Sequence, residues 1–175
     1  MTRDEFIGRI KETAYLEGEF TLRSGRKSNY YLDKYRFETQ PDILKRLGQM
    51  FAEHVTHETT RIAGAELGGV ALAAATSMES GVPFVIVRNA KKDYGTGNEF
   101  EGVIESSDSV LIVEDIATTG GQVLEAAKQI VALGASVVAL VAVIDRLEGA
   151  RENIESAGFR FESLMTTVDL GIKSN

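Results

Sequence analysis

The N-terminal part of the chain carries apolar positions at helical spacing in two places. The first group is Phe6, Ile7, Ile10 and Ala14. It predicts an opening helix, at whose start Thr2 and Glu5 have the spacing of a capping box. The second group is Ile43, Leu44, Leu47, Met50 and Phe51. It predicts a second helix with Pro41 in its first turn. Residues 19–37, between the two, predict irregular strands and turns, with Ser24-Gly25 marking a turn.

From residue 61 onward, short continuous apolar runs alternate with helical patterns. The runs cover residues 61–64, 84–88, 110–113 and 137–144, and the helical patterns cover 69–80 and 121–133. Continuous apolar runs between helices are typical of parallel strands that are buried on both faces. We therefore predict an α/β fold with one mostly parallel sheet and helices on both faces. Ligands of such sheets bind beyond the carboxyl ends of the strands.

Length, composition and charge narrow the class of protein. A chain of 175 residues favours a single domain, which we predict to span 1–175. The run at 137–144 is too short to cross a membrane, and the N-terminus lacks the apolar segment of a secretory signal. The chain contains no cysteine, so it forms no disulfide, and we expect a cytoplasmic location.

The net charge is −7, from 26 acidic and 19 basic residues. Nucleic acids and anionic membranes both bind basic faces, so we predict neither as a partner. A phosphorylated ligand would need bases concentrated locally, and short basic clusters occur at 23–27, 34–36 and 88–92. His54 and His57 have i, i+3 spacing on the predicted second helix, but no third ligand is near in sequence, and we predict no zinc site.

Residues 110–122 carry the clearest chemical pattern. An apolar strand ends in Glu114 and Asp115, and a Thr-Thr-Gly-Gly turn then leads into a helix. Backbone N–H groups of a glycine-rich turn at a helix start bind phosphate, and threonine hydroxyls add donors. Two carboxylates beside a phosphate make sense if they face the hydroxyls of a sugar that carries it. The alternative is a structural turn capped by threonine, with the acids at a solvated strand end.

Two further segments have a chemical and a structural interpretation. Residues 88–102 show neither helical nor strand periodicity and contain clustered charge, which is typical of a functional lid or of a solvated hairpin. Arg146 follows the buried run at 137–144. It either pairs with Asp145 or Glu148, or binds a planar anion, whose carbonyl and carboxylate edges match a guanidinium.

The motifs are similar to those of type I phosphoribosyltransferases. Residues 110–121 resemble the signature that this family uses for phosphoribosyl diphosphate (PRPP), and 18–33, 64–73 and 144–150 resemble segments of its orotate phosphoribosyltransferase branch. These segments follow the family order. The resemblance implies the type I fold, with a small hood from residues 1–37 and a C-terminal segment, and a mobile catalytic loop.

The resemblance also implies an activity and its partners. Ribose 5-phosphate would pass from PRPP to orotate, giving orotidine 5′-monophosphate and pyrophosphate in pyrimidine biosynthesis. Mg²⁺ would be bound mainly through PRPP, and a homodimer would share the 88–102 loop between subunits. Two alternatives stay open: a PRPP-sensing regulator on the same fold with catalysis lost, and a phosphoribosyltransferase for another base.

The resemblance assigns residue roles as well. It implies catalysis by Lys92, Glu114 and Asp115. It implies PRPP binding by Arg88, Asn89, Lys92, Tyr94, Glu114, Asp115, Ile116, Ala117, Thr118, Thr119, Gly120, Gly121 and Gln122. It implies orotate binding by Arg23, Tyr30, Tyr31, Thr118 and Arg146. Three residues depart from the family pattern, because Arg23 and Asn89 replace lysines and Gln122 replaces a small residue.

Overall fold

The computed structural model describes residues 1–21, 27–89 and 99–172. Its helices are α1 Arg3–Ala14, α2 Lys34–Glu38, α3 Pro41–Ala52, α4 Gly68–Ser80, α5 Gly121–Leu133 and α6 Ala150–Ser156. Its strands are β1 Tyr15–Thr21, β2 Lys27–Leu32, β3 Arg61–Ala65, β4 Phe84–Val87, β5 Phe100–Glu101, β6 Ser109–Ala117, β7 Ser136–Asp145 and β8 Phe161–Thr166. None of the described helices is long and apolar enough to cross a membrane.

Six strands form the central sheet in the order β5-β4-β3-β6-β7-β8. All neighbouring strands in it run parallel except β5, which is antiparallel to β4. β1 and β2 form a separate antiparallel hairpin. The predicted α/β fold with a mostly parallel sheet is therefore confirmed. That one domain spans 1–175, with a hood built from 1–37 and a C-terminal segment, stays a prediction.

The sheet has a hydrophobic core on each face. On one face, α1, α3 and α4 pack side chains such as Phe6, Phe51 and Leu72 against Leu111 of β6. On the other face, α5 and α6 pack against Ile112, the next residue of the same strand. Successive side chains of a strand point to opposite faces, so one continuous apolar run serves both cores. The prediction of helices on both faces is confirmed.

The two N-terminal helix predictions are confirmed, with one correction. The Thr2–Glu5 capping box is present, and the predicted stripe of α1 is buried. α3 begins at Pro41 and buries Ile43, Leu47 and Phe51, as its spacing indicates. It ends at Ala52, so the placement of His54 and His57 on this helix was wrong.

Residues 19–37 are more regular than predicted. β1 begins directly after α1, β2 pairs with it, and the short helix α2 precedes α3. The cross-strand hydrogen bonds of the hairpin stabilise strands whose sequence lacks clean alternation. The predicted turn at Ser24-Gly25 lies outside the described residues.

One prediction about a strand end was wrong. Glu114 and Asp115 lie within β6, because β7 continues beside them until Ala117 pairs with Asp145. In the segment 88–102, Phe100–Glu101 pairs in antiparallel fashion with Ile86 and Val87 of β4, which agrees with the hairpin interpretation. Residues 90–98 of this segment lie outside the described ones.

Candidate active site

A cleft of about 520 Å³ opens at the carboxyl end of β6. It lies at the edge of the sheet where a parallel arrangement predicts a ligand. Its walls come from β2, α2, β6, the turn after β6, the start of α5 and the residue after β7. The lining residues are Tyr31, Leu32, Lys34, Glu114, Asp115, Ile116, Ala117, Thr118, Thr119, Gly120, Gly121, Gln122, Val123 and Arg146. The cleft therefore brings together the 114–122 segment with Tyr31 and Arg146.

The turn from Thr118 to Gly121 has the geometry of an anion site. Gly120 has φ +76° and precedes α5, and a Cβ at this position would lie 2.8 Å from Ile154 Cδ1. Asn153 Nδ2 donates to the Thr119 carbonyl at 2.9 Å and fixes the turn from α6. Within the described part of the chain no side chain caps α5, so the alternative of a threonine cap was wrong. The first N–H groups of a helix have no intrahelical acceptor, which leaves them available to a phosphate.

The two carboxylates below this turn are buried. Glu114 is 4% and Asp115 1% exposed, so the alternative of a solvated strand end was wrong. Lys34 Nζ lies 2.6 Å from Asp115 Oδ2, and Glu114 Oε1 accepts the Asp115 N–H at 3.2 Å. Glu114 Oε2 is buried and has no hydrogen-bond donor among the described residues. Burial, together with the neighbouring negative charge of Asp115, raises the pKa of Glu114 well above its ordinary value.

Sequence reasoning missed two residues of this charge cluster, Lys34 and Glu38. Both lie on α2, the helix that was not predicted. Glu38 is 3% exposed, and burial, aided by the charge of Asp115, raises its pKa to about 8. The charge of Asp115 raises the pKa of Lys34 despite the opposing effect of burial. The basic cluster at 34–36, a local concentration of bases that suits a phosphorylated ligand, was the signal in the sequence that pointed to Lys34.

The surroundings of Arg146 are compatible with both interpretations of the sequence, an ion pair with a neighbouring acid and contact with a planar anion. Its Nε donates to Glu148 Oε1 at 2.9 Å, so the predicted structural pairing is present, whereas Asp145 Oδ1 accepts the Leu147 N–H instead. Arg146 Nη2 also donates to Tyr30 Oη at 3.1 Å, and the guanidinium lies 5.3 Å from the centre of the Tyr30 ring. These contacts orient a guanidinium that still lines the cleft.

Of the two neighbouring tyrosines, Tyr30 lies in the core and Tyr31 lines the cleft. Tyr30 is buried and stacks on Tyr15, with 5.7 Å between ring centres. Tyr31 is 41% exposed, lines the cleft and contacts Phe20. Neighbouring strand residues point to opposite faces, so Tyr30 supports Arg146 from behind while Tyr31 faces the cleft.

A second cavity, of about 380 Å³, adjoins the start of α5 and contains Arg88, Asn89 and Gln122 in its wall. Asn89 Nδ2 donates to the Glu66 carbonyl at 2.7 Å, and Gln122 Nε2 donates to the same oxygen at 3.0 Å. The Arg88 guanidinium lies 3.8 Å from Glu66 Oε2 and 3.4 Å from Glu101 Oε1. Two departures from the family pattern, Asn89 and Gln122, therefore bind one carbonyl and join β4 and α5 to the loop before α4.

Three predicted site residues, Arg23, Lys92 and Tyr94, lie outside the described residues. Their roles stay predictions.

Comparison with known proteins identifies the family. The model of the phosphoribosyl transferase domain matches residues 35–169. The orotate phosphoribosyltransferase of Methanocaldococcus jannaschii is 44% identical over 169 residues, which cover 96% of each chain. That of Halobacterium salinarum is 46% identical over 168 residues, which cover 95% of each chain. The chain belongs to the orotate phosphoribosyltransferase family.

A solved member of this family supports the assignment of the fold. It is the orotate phosphoribosyltransferase of Mycobacterium tuberculosis in complex with 5-phospho-alpha-D-ribosyl 1-diphosphate. The two chains are 30% identical, with a TM-score of 0.82, and the match covers 97% of this chain and 99% of that one. The type I phosphoribosyltransferase fold that the motifs implied is confirmed.

Proposed function

We propose that the protein is an enzyme that transfers ribose 5-phosphate from PRPP to orotate in pyrimidine biosynthesis. The products are orotidine 5′-monophosphate and pyrophosphate. The observation that carries this proposal is the single cleft that combines a phosphate-binding turn at 118–121, the buried pair Glu114 and Asp115, and the Arg146 guanidinium.

PRPP would bind across the end of β6. Its 5′-phosphate accepts hydrogen bonds from the backbone N–H groups at the start of α5 and from the threonine hydroxyls of the turn. Its ribose hydroxyls donate to Glu114 and Asp115. Among the described residues, Glu114 Oε2 is buried without a hydrogen-bond donor, so a ribose hydroxyl that donates to it would satisfy an acceptor whose desolvation is otherwise unfavourable.

Orotate would bind on the β7 side of the cleft. Arg146 is held by Glu148 and Tyr30, so little side-chain entropy is lost when it contacts the base. A guanidinium matches the carboxylate and carbonyl edges of a planar anion with two parallel hydrogen bonds. We propose Arg23, Tyr30, Tyr31 and Thr118 as the other residues at the orotate site.

The reaction breaks the C1–O bond of PRPP, and its electron pair leaves with pyrophosphate. A ring nitrogen of orotate bonds to C1, and the proton of that nitrogen is released. Positive charge develops on the ribose, beside Glu114 and Asp115. Negative charge develops on the leaving group, which Arg88 and Lys92 would stabilise. Asn89, Tyr94 and Gln122 belong to the proposed PRPP site.

Mg²⁺ fits this site as part of the substrate. Among the described residues, no three His, Asp or Glu side chains are grouped closely enough to hold a metal ion. Mg²⁺ commonly keeps several waters and takes oxygens from substrate phosphates. We propose that Mg²⁺ would be bound mainly through PRPP and would supply positive charge beside the leaving diphosphate.

We propose a homodimer in the cytoplasm, with residues 88–102 shared between subunits. The described ends of this segment, at β4 and β5, lie at the outer edge of the sheet, since β5 is the edge strand. The absence of cysteine from the sequence supports the location.

The test is the loss of orotate absorbance, run beside uracil, adenine and hypoxanthine. We expect turnover with orotate only, and only when both PRPP and Mg²⁺ are present. Asp115→Asn is the control that excludes a contaminating enzyme, since it should abolish the activity. Turnover of another base without orotate would identify a different transferase. PRPP binding without turnover would favour a regulator.

A further inference from the structure

Three ionisable side chains, Lys34, Glu114 and Asp115, meet at the floor of the cleft, and the buried Glu38 senses the charges of Lys34 and Asp115. The three acidic residues are each at most 4% exposed. The Lys34 side chain keeps 28% of its surface exposed and lines the cleft. Among the described lining residues, Lys34 and Arg146 are the two cations. Arg146 contacts Glu148 and Tyr30, whereas Lys34 contacts Asp115, a residue of the proposed ribose site.

The sheet order places Lys34 on one side of that ribose site. β6 lies between β3 and β7. Arg146 follows β7, whereas Lys34 lies beside Gly68, the first residue of α4, which follows β3. A Cβ built on Gly68 would lie 3.2 Å from Lys34 Nζ and would overlap the Asp115 carboxylate. The two cations therefore stand on opposite sides of Glu114 and Asp115.

The proposed reaction gives these two sides different ligands. In an in-line displacement, the incoming group and the leaving group occupy opposite faces of the reacting carbon. With the base beside Arg146, the diphosphate of PRPP falls on the β3 side, next to Lys34. We propose that Lys34 binds this diphosphate within its own subunit, and that it leaves Asp115 when the ribose hydroxyls bind that carboxylate. This inference rests on the proposed function.

The exchange keeps the buried charges compensated in both states. Without ligand, Lys34 neutralises Asp115, which would be costly to leave buried and unpaired. With PRPP bound, hydroxyl donors replace the ammonium group at Asp115, and the ammonium group moves onto phosphate oxygens. Glu38 does not compete with the diphosphate for the Lys34 ammonium group. Burial raises the pKa of this carboxyl to about 8, so the carboxyl is largely neutral at lower pH.

The test measures the binding of PRPP and of ribose 5-phosphate, which lacks the diphosphate, by calorimetry. Lys34→Gln should weaken PRPP binding by about tenfold or more, which is the effect of losing one charged hydrogen bond. It should leave ribose 5-phosphate affinity unchanged within about twofold. Lys34→Arg should restore most of the PRPP affinity. Lys45→Gln, an exposed position on α3, is the matched control and should bind both ligands as the wild type does.

Two results would overturn the inference alone. Equal weakening of both ligands would show that Lys34 only positions Asp115, and unchanged PRPP affinity would show that it only neutralises that carboxylate. A wild type that binds no PRPP would overturn the proposed function as well. If Lys34→Gln does not fold, the Asp115→Asn background removes the unpaired charge. In that background, adding Lys34→Gln must still weaken PRPP more than ribose 5-phosphate.

Discussion

Glu38→Gln should change the pH dependence of stability. The Glu38 side chain is buried on α2, and its Oε1 has no hydrogen-bond partner among the described residues. Burial raises its pKa from 4.5 to about 8; the negative charges of Asp115 and Asp33 act in the same direction, and Lys34 opposes them. The substitution removes this titration and keeps the size of the side chain.

The raised pKa fixes the sign of the effect. The folded protein holds the Glu38 proton more tightly than the unfolded chain does. The contribution of Glu38 to the free energy of unfolding therefore falls as the pH rises from 4.5 to about 8. At about 1.4 kcal/mol per pH unit, the free energy of unfolding falls by at most about 5 kcal/mol over this interval. Water penetration and relaxation around the ionised group reduce the expected loss in free energy of unfolding to roughly 2–3 kcal/mol.

Urea unfolding of wild type and variant, at about pH 5 and about pH 9, measures this difference. At the lower pH the variant should be more stable by no more than about 1 kcal/mol, because Glu38 is protonated in the folded state and about pH 5 lies only about half a unit above 4.5. At the higher pH the variant should be more stable by roughly 2–3 kcal/mol. The exposed residue Glu53 supplies the control Glu53→Gln, whose pH profile should parallel that of the wild type. A difference between wild type and Glu38→Gln that does not change with pH would refute the reasoning.

Three other experiments test the site. Arg146→Ala should reduce kcat/KM for orotate by about 2–4 kcal/mol of transition-state stabilisation, through loss of a charged contact; a collapse of PRPP binding in calorimetry would instead place Arg146 on the phosphate side. Gly68→Ala should weaken PRPP binding at least about tenfold, because its methyl group overlaps Asp115. Gly8→Ala, whose added Cβ would have no described neighbour within 4 Å, is the control, and equal affinities would contradict the overlap. Lys92→Ala and Asp115→Asn should each be inactive as homodimers and regain up to one working site per heterodimer when mixed. Heterodimers that a tag pull-down detects but that stay inactive would show that Lys92 acts in its own subunit.

Features that are encoded locally could be predicted from the amino-acid sequence. The Thr2–Glu5 capping box and the apolar stripe of α3 specify helices through contacts within a few residues. Continuous apolar runs identify strands that are covered on both faces. The turn proposed to bind phosphate and its acid pair were also visible, because a strand, a turn and a helix start are contiguous in the chain.

Contacts between residues that are distant in the chain became apparent from the folded structure. α2 is too short to show periodicity, so nothing in the sequence joins Lys34 to Asp115 across the floor of the cleft. Asn89 and Gln122 read as separate departures from the family pattern, yet both bind the Glu66 carbonyl. The burial of Glu114 likewise depends on β7 extending beside it. In each case the contact joins elements far apart in the chain, and it is the packing of the whole sheet that brings them together, whereas periodicity reports only the neighbours within one element.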